Sequence, residues 1–161
     1  MYRLTLILAL ALSACVGRTA GVPTGNFRAE GGPIYSSAVL DRTRLVGRWQ
    51  QVATFGSATC KAGGVEIKPN GNAAFRLCLG GKDIKGAGPM EAIGPGRFAI
   101  TGQEWWVLWA DGDYRTLVIG TPEGNFGFVL NRGGAISSDR LTAAREILDW
   151  NGYDLSQFQP L

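Results

Sequence analysis

Glu104-Trp105-Trp106-Val107-Leu108-Trp109-Ala110 is followed by Asp111-Gly112-Asp113-Tyr114 and then by Arg115-Thr116-Leu117-Val118-Ile119-Gly120-Thr121. The first run is apolar on both sides of a period-2 pattern, the middle four residues are turn formers, and the third run is β-branched and apolar. Two strands joined by a turn follow, and the first must be covered on both faces. One face belongs to an interior. The other lies under another element or in a contact between two copies. An open sheet facing water does not satisfy this, whereas a barrel with a helix packed outside it does.

Working outward, the same rhythm continues. Leu45–Phe55, Gly64–Lys68, Asn72–Leu79, Lys82–Ala92, Arg97–Thr101 and Asn125–Arg132 read as further strands, eight in all at short, regular intervals. Pro69-Asn70-Gly71 makes a hairpin turn. A three-residue loop there pairs 65 with 75 and 67 with 73, which keeps Val65, Ile67, Phe75 and Leu77 on one face; a two-residue loop would split them. After residue 138 the period changes. Asp139 is positioned to cap a helix over Arg140–Trp150, with Leu141, Ala144, Ile147 and Leu148 on one stripe and Gly152 at its C-terminal end. The fold class is therefore all-β: an eight-stranded up-and-down antiparallel barrel with one C-terminal helix outside.

The N-terminus carries an address. Arg3 precedes the apolar run Leu4–Leu12, which is too short to span a bilayer, and Leu12-Ser13-Ala14-Cys15 resembles a lipobox. Residues 1–14 are expected to be a lipoprotein signal, with Cys15 the lipid-attachment site. Acyl chains such as palmitate would anchor it, each buried methylene contributing roughly 0.8 kcal/mol. Val16 stands where an aspartate would favour inner-membrane retention, so the expected location is the outer membrane, facing the periplasm. Residues 15–40 read as a flexible linker rich in Gly, Ala, Ser, Thr and Pro, and residues 41–161 as the barrel domain.

Composition excludes other classes. The chain has 16 basic and 13 acidic residues, and removal of Arg3 with the signal leaves a net charge of +2. That is no footprint for nucleic acid. Histidine is absent, which removes His-based triads and His-ligated zinc, and three cysteines cannot form a Cys₄ site. No catalytic residue, metal or cofactor is expected. Asp111 and Asp113 are adjacent carboxylates, but in a turn they cap backbone amides. In the hairpin register, residue 60 falls opposite residue 80, so Cys78 is a diagonal neighbour of Cys60 on the outward face. That spacing is wide for a relaxed disulfide, and a bulge at Gly63-Gly64 closes it. Export places both thiols in an oxidising compartment, so a Cys60–Cys78 disulfide is expected.

These elements resemble the lipocalins, and among them the bacterial outer-membrane lipoprotein lipocalins. Leu45-Val46-Gly47-Arg48-Trp49 is similar to the family's Gly-x-Trp at the first strand. Trp106–Pro122 is similar to a strand, Asp-x-Asp-Tyr turn and strand, and Phe126–Arg132 to the last strand with its arginine. The resemblance implies that Gly47, Trp49, Asp111, Asp113, Tyr114 and Arg132 are structural, with Arg132 lying on the Trp49 indole. It also implies a small hydrophobic ligand, a fatty acid or lysophospholipid, in the barrel. The expected cavity side chains are Phe75, Leu77, Phe98, Ile100, Trp106, Leu108, Phe126 and Phe128, with Trp106 and Leu108 inward and Trp105, Val107 and Trp109 under the helix or in a homodimer contact. Periplasmic metalloprotease inhibitors, small barrels that also begin with Gly-x-Trp and two cysteines, are the alternative; Gly47, Trp49, Cys60 and Cys78 fit them.

Overall fold

Alternating side chains and glycine-bearing turns build a sheet that closes on itself. The computed structural model describes residues 25–161; the expected signal and Cys15 lie outside the described residues. The strands are β1 (Gly47–Phe55), β2 (Gly64–Ile67), β3 (Asn72–Leu79), β4 (Lys82–Gly94), β5 (Arg97–Ile100), β6 (Gln103–Ala110), β7 (Thr116–Gly120) and β8 (Phe128–Asn131). Each pairs antiparallel with the next, and β1 pairs with both β2 and β8 to close an eight-stranded barrel. A ninth short strand, β9 (Phe158–Pro160), extends the end of β1. The β2–β3 hairpin has the expected register, Val65 opposite Phe75 and Ile67 opposite Ala73. Gly71 takes φ +83°, and Asn70 Oδ1 accepts from the Asn72 amide at 3.1 Å, so the loop chemistry fixes which face is buried.

Closure separates two apolar layers. Leu45, Trp49, Phe75, Leu77, Trp105 and Phe128 belong to the inner layer. Outside it, Val118, Val129, Ala144, Leu148, Tyr153 and Phe158 form a second layer. The helix α1 (Ser138–Trp150) supplies Ala144 and Leu148 to that layer, with Leu141 and Ile147 partly buried at its edges. The helix starts two residues earlier than expected: Ser137 is the N-cap, and Asp139 lies in the first turn, where its charge faces the positive end of the helix. Gly152 follows the Asn151 cap with φ +80°, as a C-terminal glycine should.

The disulfide joins Cys60 and Cys78, whose Cα atoms are 5.5 Å apart. Cys78 alternates with the inner-layer Leu77 and Leu79, so it lies on the outward face as expected, yet it is buried there. Because β2 ends at Gly64, β1 reaches β3 through a side chain. Gln51 Nε2 donates to the Cys78 carbonyl and Gln51 Oε1 accepts from the Cys78 amide, each at 2.8 Å. Gly63 makes this approach possible, since a Cβ there would fall on the Arg76 carbonyl.

The expected linker is in large part not a linker. Phe27 and Arg28 are buried, and the chain from Phe27 to Ser37 is bonded along the barrel's outside. The Phe27 amide donates to Gly124 O, the Ala29 amide to Gly152 O, and the Ser37 amide to Val107 O, each within 2.9 Å. Arg28 donates to the carbonyls of Asn151 (2.7 Å), Pro122 (3.1 Å) and Gly32. Its aliphatic stem is covered while its fork satisfies loop carbonyls. A Gly- and Ala-rich composition hid one arginine that does this.

Candidate functional site

The barrel has a sealed end and a looped end, and the sealed end is built from the Gly-x-Trp stretch. Asp41 caps a 3₁₀ turn (Arg42–Leu45), and Gly47 at φ +123° then sends the chain into β1. Trp49 is thereby laid across the barrel floor, its Nε1 donating to Leu45 O at 2.8 Å. The Arg132 guanidinium carbon lies 4.0 Å from the Trp49 ring centre. Its donors reach the carbonyls of Tyr114 (2.7 Å), Val46 (2.9 Å) and Arg44. Burial, then repulsion from Arg44, pulls its pKa below the usual guanidinium value. Asp111 Oδ1 accepts from the Arg115 and Thr116 amides, while Tyr114, at φ +55°, accepts the Asp41 amide on its hydroxyl. These carboxylates and rings shape a turn; Asp113 is exposed.

The interior differs from expectation at β6. Trp105 and Val107 point into the barrel, whereas Trp106 and Leu108 belong to the outer layer. The reason is parity with Glu104. Glu104 is exposed, so Trp106 shares its face, and Trp106 Nε1 donates to Glu104 Oε2 at 3.0 Å while Arg97 stacks 4.0 Å from its ring. Alternation leaves Leu108 on the outside too, and a register shift between Val107 and Trp109 turns Trp109 outward beside it. Trp109 is outward, as expected. The other six expected side chains, Phe75, Leu77, Phe98, Ile100, Phe126 and Phe128, are all in the inner layer.

Trp105 fills the centre. Its ring centre lies 5.0 Å from that of Phe75, 5.1 Å from Phe128 and 6.5 Å from Phe126, with the two β8-side rings edge-on. What remains is a cavity of about 20 Å³. Every residue lining it is apolar, among them Leu45, Ile67, Met90, Phe98 and Val107. Of the expected ligand residues, only Phe98 and Ile100 border it. Val65 and Ile67 were legible from the hairpin register; Met90 and Leu45 carried no pattern that separates cavity from core. At the looped end, Gln103 is buried with Nε2 unpartnered among the described residues, and Glu104 and Glu123 flank it on a separate open groove. No group of three metal-ligating side chains occurs among the described residues, and no helix among them is long and apolar enough to cross a membrane.

An eight-stranded closed barrel with an N-terminal 3₁₀ turn, a Trp–Arg floor and one helix after the last barrel strand defines the lipocalin class of fold. Residues 94–161 match the family model described as a lipocalin-like domain. Insecticyanin from the tobacco hornworm Manduca sexta is similar in structure, with a TM-score of 0.63 and 15% identity over 84% of this chain and 88% of that one. The cockroach allergen Per a 4 is similar with a TM-score of 0.57 and 13% identity over 85% and 95%. Lobster apocrustacyanin A1 is similar at 0.55 and 13% over 84% and 91%. At these identities the likeness is one of fold. No curated protein matches the chain.

Proposed function

We propose that the protein is a lipid-anchored lipocalin of the bacterial envelope whose barrel takes up one small hydrophobic ligand, a single acyl chain. The observation that carries this reading is the wholly apolar lining of the interior. Burying a methylene there gains about 0.8 kcal/mol, and no polar group has to be desolvated in return. The volume sets the mode of binding. Ligand pockets usually enclose about 300–1,000 Å³, and the cavity of about 20 Å³ has room for little more than a water molecule. A chain therefore enters by displacing resident side chains, and its association is slower than diffusion allows. Protein purified without detergent and titrated with dodecanoate or dodecanol should show a saturable change in tryptophan emission with affinity near micromolar, about −8 kcal/mol. No saturable response to either probe, and no lipid in native mass spectra of freshly isolated protein, would overturn the reading.

The filled interior also favours one second reading, a barrel that works through its surface as an inhibitor of secreted metalloproteases. The Gly47–Trp49 stretch and the Cys60–Cys78 disulfide fit that alternative. Stoichiometric inhibition of a secreted zinc protease, with no acyl ligand bound, would establish it.

A further inference from the structure

Trp49 and Arg132 seal the floor, so a chain lying in the interior can leave its head only at the looped end. An open groove of about 330 Å³ lies there, between the β5–β6 turn and the β7–β8 loop. Two of its lining side chains carry polar atoms that are buried and without a partner among the described residues, Gln103 Nε2 and Asn125 Oδ1. Gln103 is 5% exposed and shares the parity of Trp105 and Val107, the inward residues of β6. Its Oε1 accepts from Trp105 Nε1 at 3.4 Å, a long bond that ties the groove to a ring lining the cavity. One orphan is a donor and the other an acceptor. A buried polar atom left unmet costs more than an ordinary hydrogen bond gains, so this pair is the strongest pull on a ligand. Around it the charge has one sign. Glu104 and Glu123 line the groove, and no lysine or arginine does. Each carboxylate has one oxygen engaged, Glu104 Oε2 by Trp106 Nε1 at 3.0 Å and Glu123 Oε2 by Thr121 Oγ1 at 2.6 Å. Neither takes part in an ion pair among the described residues.

We propose that this groove holds the head of a single-chain amphiphile carrying both a hydroxyl and an ammonium, an amino alcohol. The hydroxyl accepts from Gln103 Nε2 and donates to Asn125 Oδ1, whereas the ammonium, a donor only, meets the other oxygens of Glu104 and Glu123. Magnitudes divide the roles. Both carboxylates are exposed, where an ion pair contributes little, so they select the sign of the charge. The buried orphans supply the affinity. A carboxylate head fits worst, because it accepts from Gln103 but cannot donate to Asn125, and two glutamates repel it. The inference rests on the reading of the barrel as a binder of one hydrophobic chain and adds the head group and its seat.

The test uses the full chain carrying Cys15→Ser, and three probes of equal chain length: 2-aminododecan-1-ol, dodecanol and dodecanoate. Binding is followed by tryptophan emission, and folding by circular dichroism. The amino alcohol should bind at least about tenfold more tightly than dodecanoate, the size of one charge-assisted hydrogen bond, with dodecanol between them. Joint Glu104→Gln and Glu123→Gln should bring the amino alcohol down to the affinity of dodecanol. Joint Glu91→Gln and Glu146→Gln, at two exposed carboxylates outside the groove, make the same change in net charge and should leave the order intact. Asn125→Ala should narrow the lead of both alcohols over dodecanoate, while its unfolding midpoint holds or rises because an unmet acceptor is gone. Equal affinity for all three probes means that water alone meets the orphans; it overturns the head site and spares chain binding. A preference that the Glu91 and Glu146 pair weakens just as much overturns it too, since net charge is then what the ligand reads. Silence of the wild type toward all three probes removes both readings.

Discussion

Arg132 makes three carbonyl bonds and stacks on Trp49 in one position, and no other side chain type has both the planar fork and the charge for this. Arg132→Ala is expected to destabilise the fold by about 1–3 kcal/mol through the lost stacking and packing, with little effect on ligand affinity; urea unfolding and probe titration check the two halves. Tyr153 gives a pH signature. Its hydroxyl donates to Phe126 O at 2.8 Å and accepts the Thr121 amide at 2.9 Å, and burial raises its pKa well above the ordinary tyrosine value. A raised folded pKa contributes stability that is complete below the unfolded value, about 10, and is lost as pH rises beyond it. The urea midpoint should fall above that pH in wild type and fall less in Tyr153→Phe. The Trp49–Arg132 pair was legible because a motif names both partners. Trp106 was not, because both faces of β6 are equally apolar; the exposed charge of Glu104 was the signal that would have oriented it.

Strands were legible where turn chemistry and alternation agreed, as at Val65, Phe75 and Gly71, and the hairpin register followed from them. The ninth strand was not. Phe158–Pro160 is too short to show a period, and it pairs with Ala53–Phe55 on the edge of β1 opposite β8, which is free only because β2 leaves β1 at Gly64. The helix was legible by its stripe, but its start was not, since Ser137 and Asp139 are both good caps and tertiary contacts chose between them. Arg140 contributes to that choice: it reaches Thr116 Oγ1 at 2.8 Å and Asn131 Oδ1 at 2.9 Å from the first turn. The disulfide closes a sequence separation of 18 residues. Replacing Cys60 and Cys78 together by alanine should cost about 2–4 kcal/mol and lower Tm by roughly 5–15 °C in calorimetry, without abolishing the barrel.

At the scale of the molecule, the stretch from Phe27 to Ser37 is part of the folded unit. Arg28→Ala removes charge-assisted bonds to three loop carbonyls, and a loss of about 2–3 kcal/mol is expected, read as a lower unfolding midpoint. Cys15→Ser should release the protein from the membrane fraction; a variant that still pellets after carbonate washing would rule out the lipid anchor. The strap also has a direction. Phe27 lies against Gly56, Gly80 and Gly124, in the loops at the end away from Trp49, and the chain runs from there down the barrel wall to Asp41 at the floor. The described chain thus begins at the looped end. Only ten peptide steps separate Cys15 from Gly25, a reach of at most about 35 Å. On the proposed anchor at Cys15, that reach would hold the looped end of the barrel nearer the bilayer than the Trp49 floor.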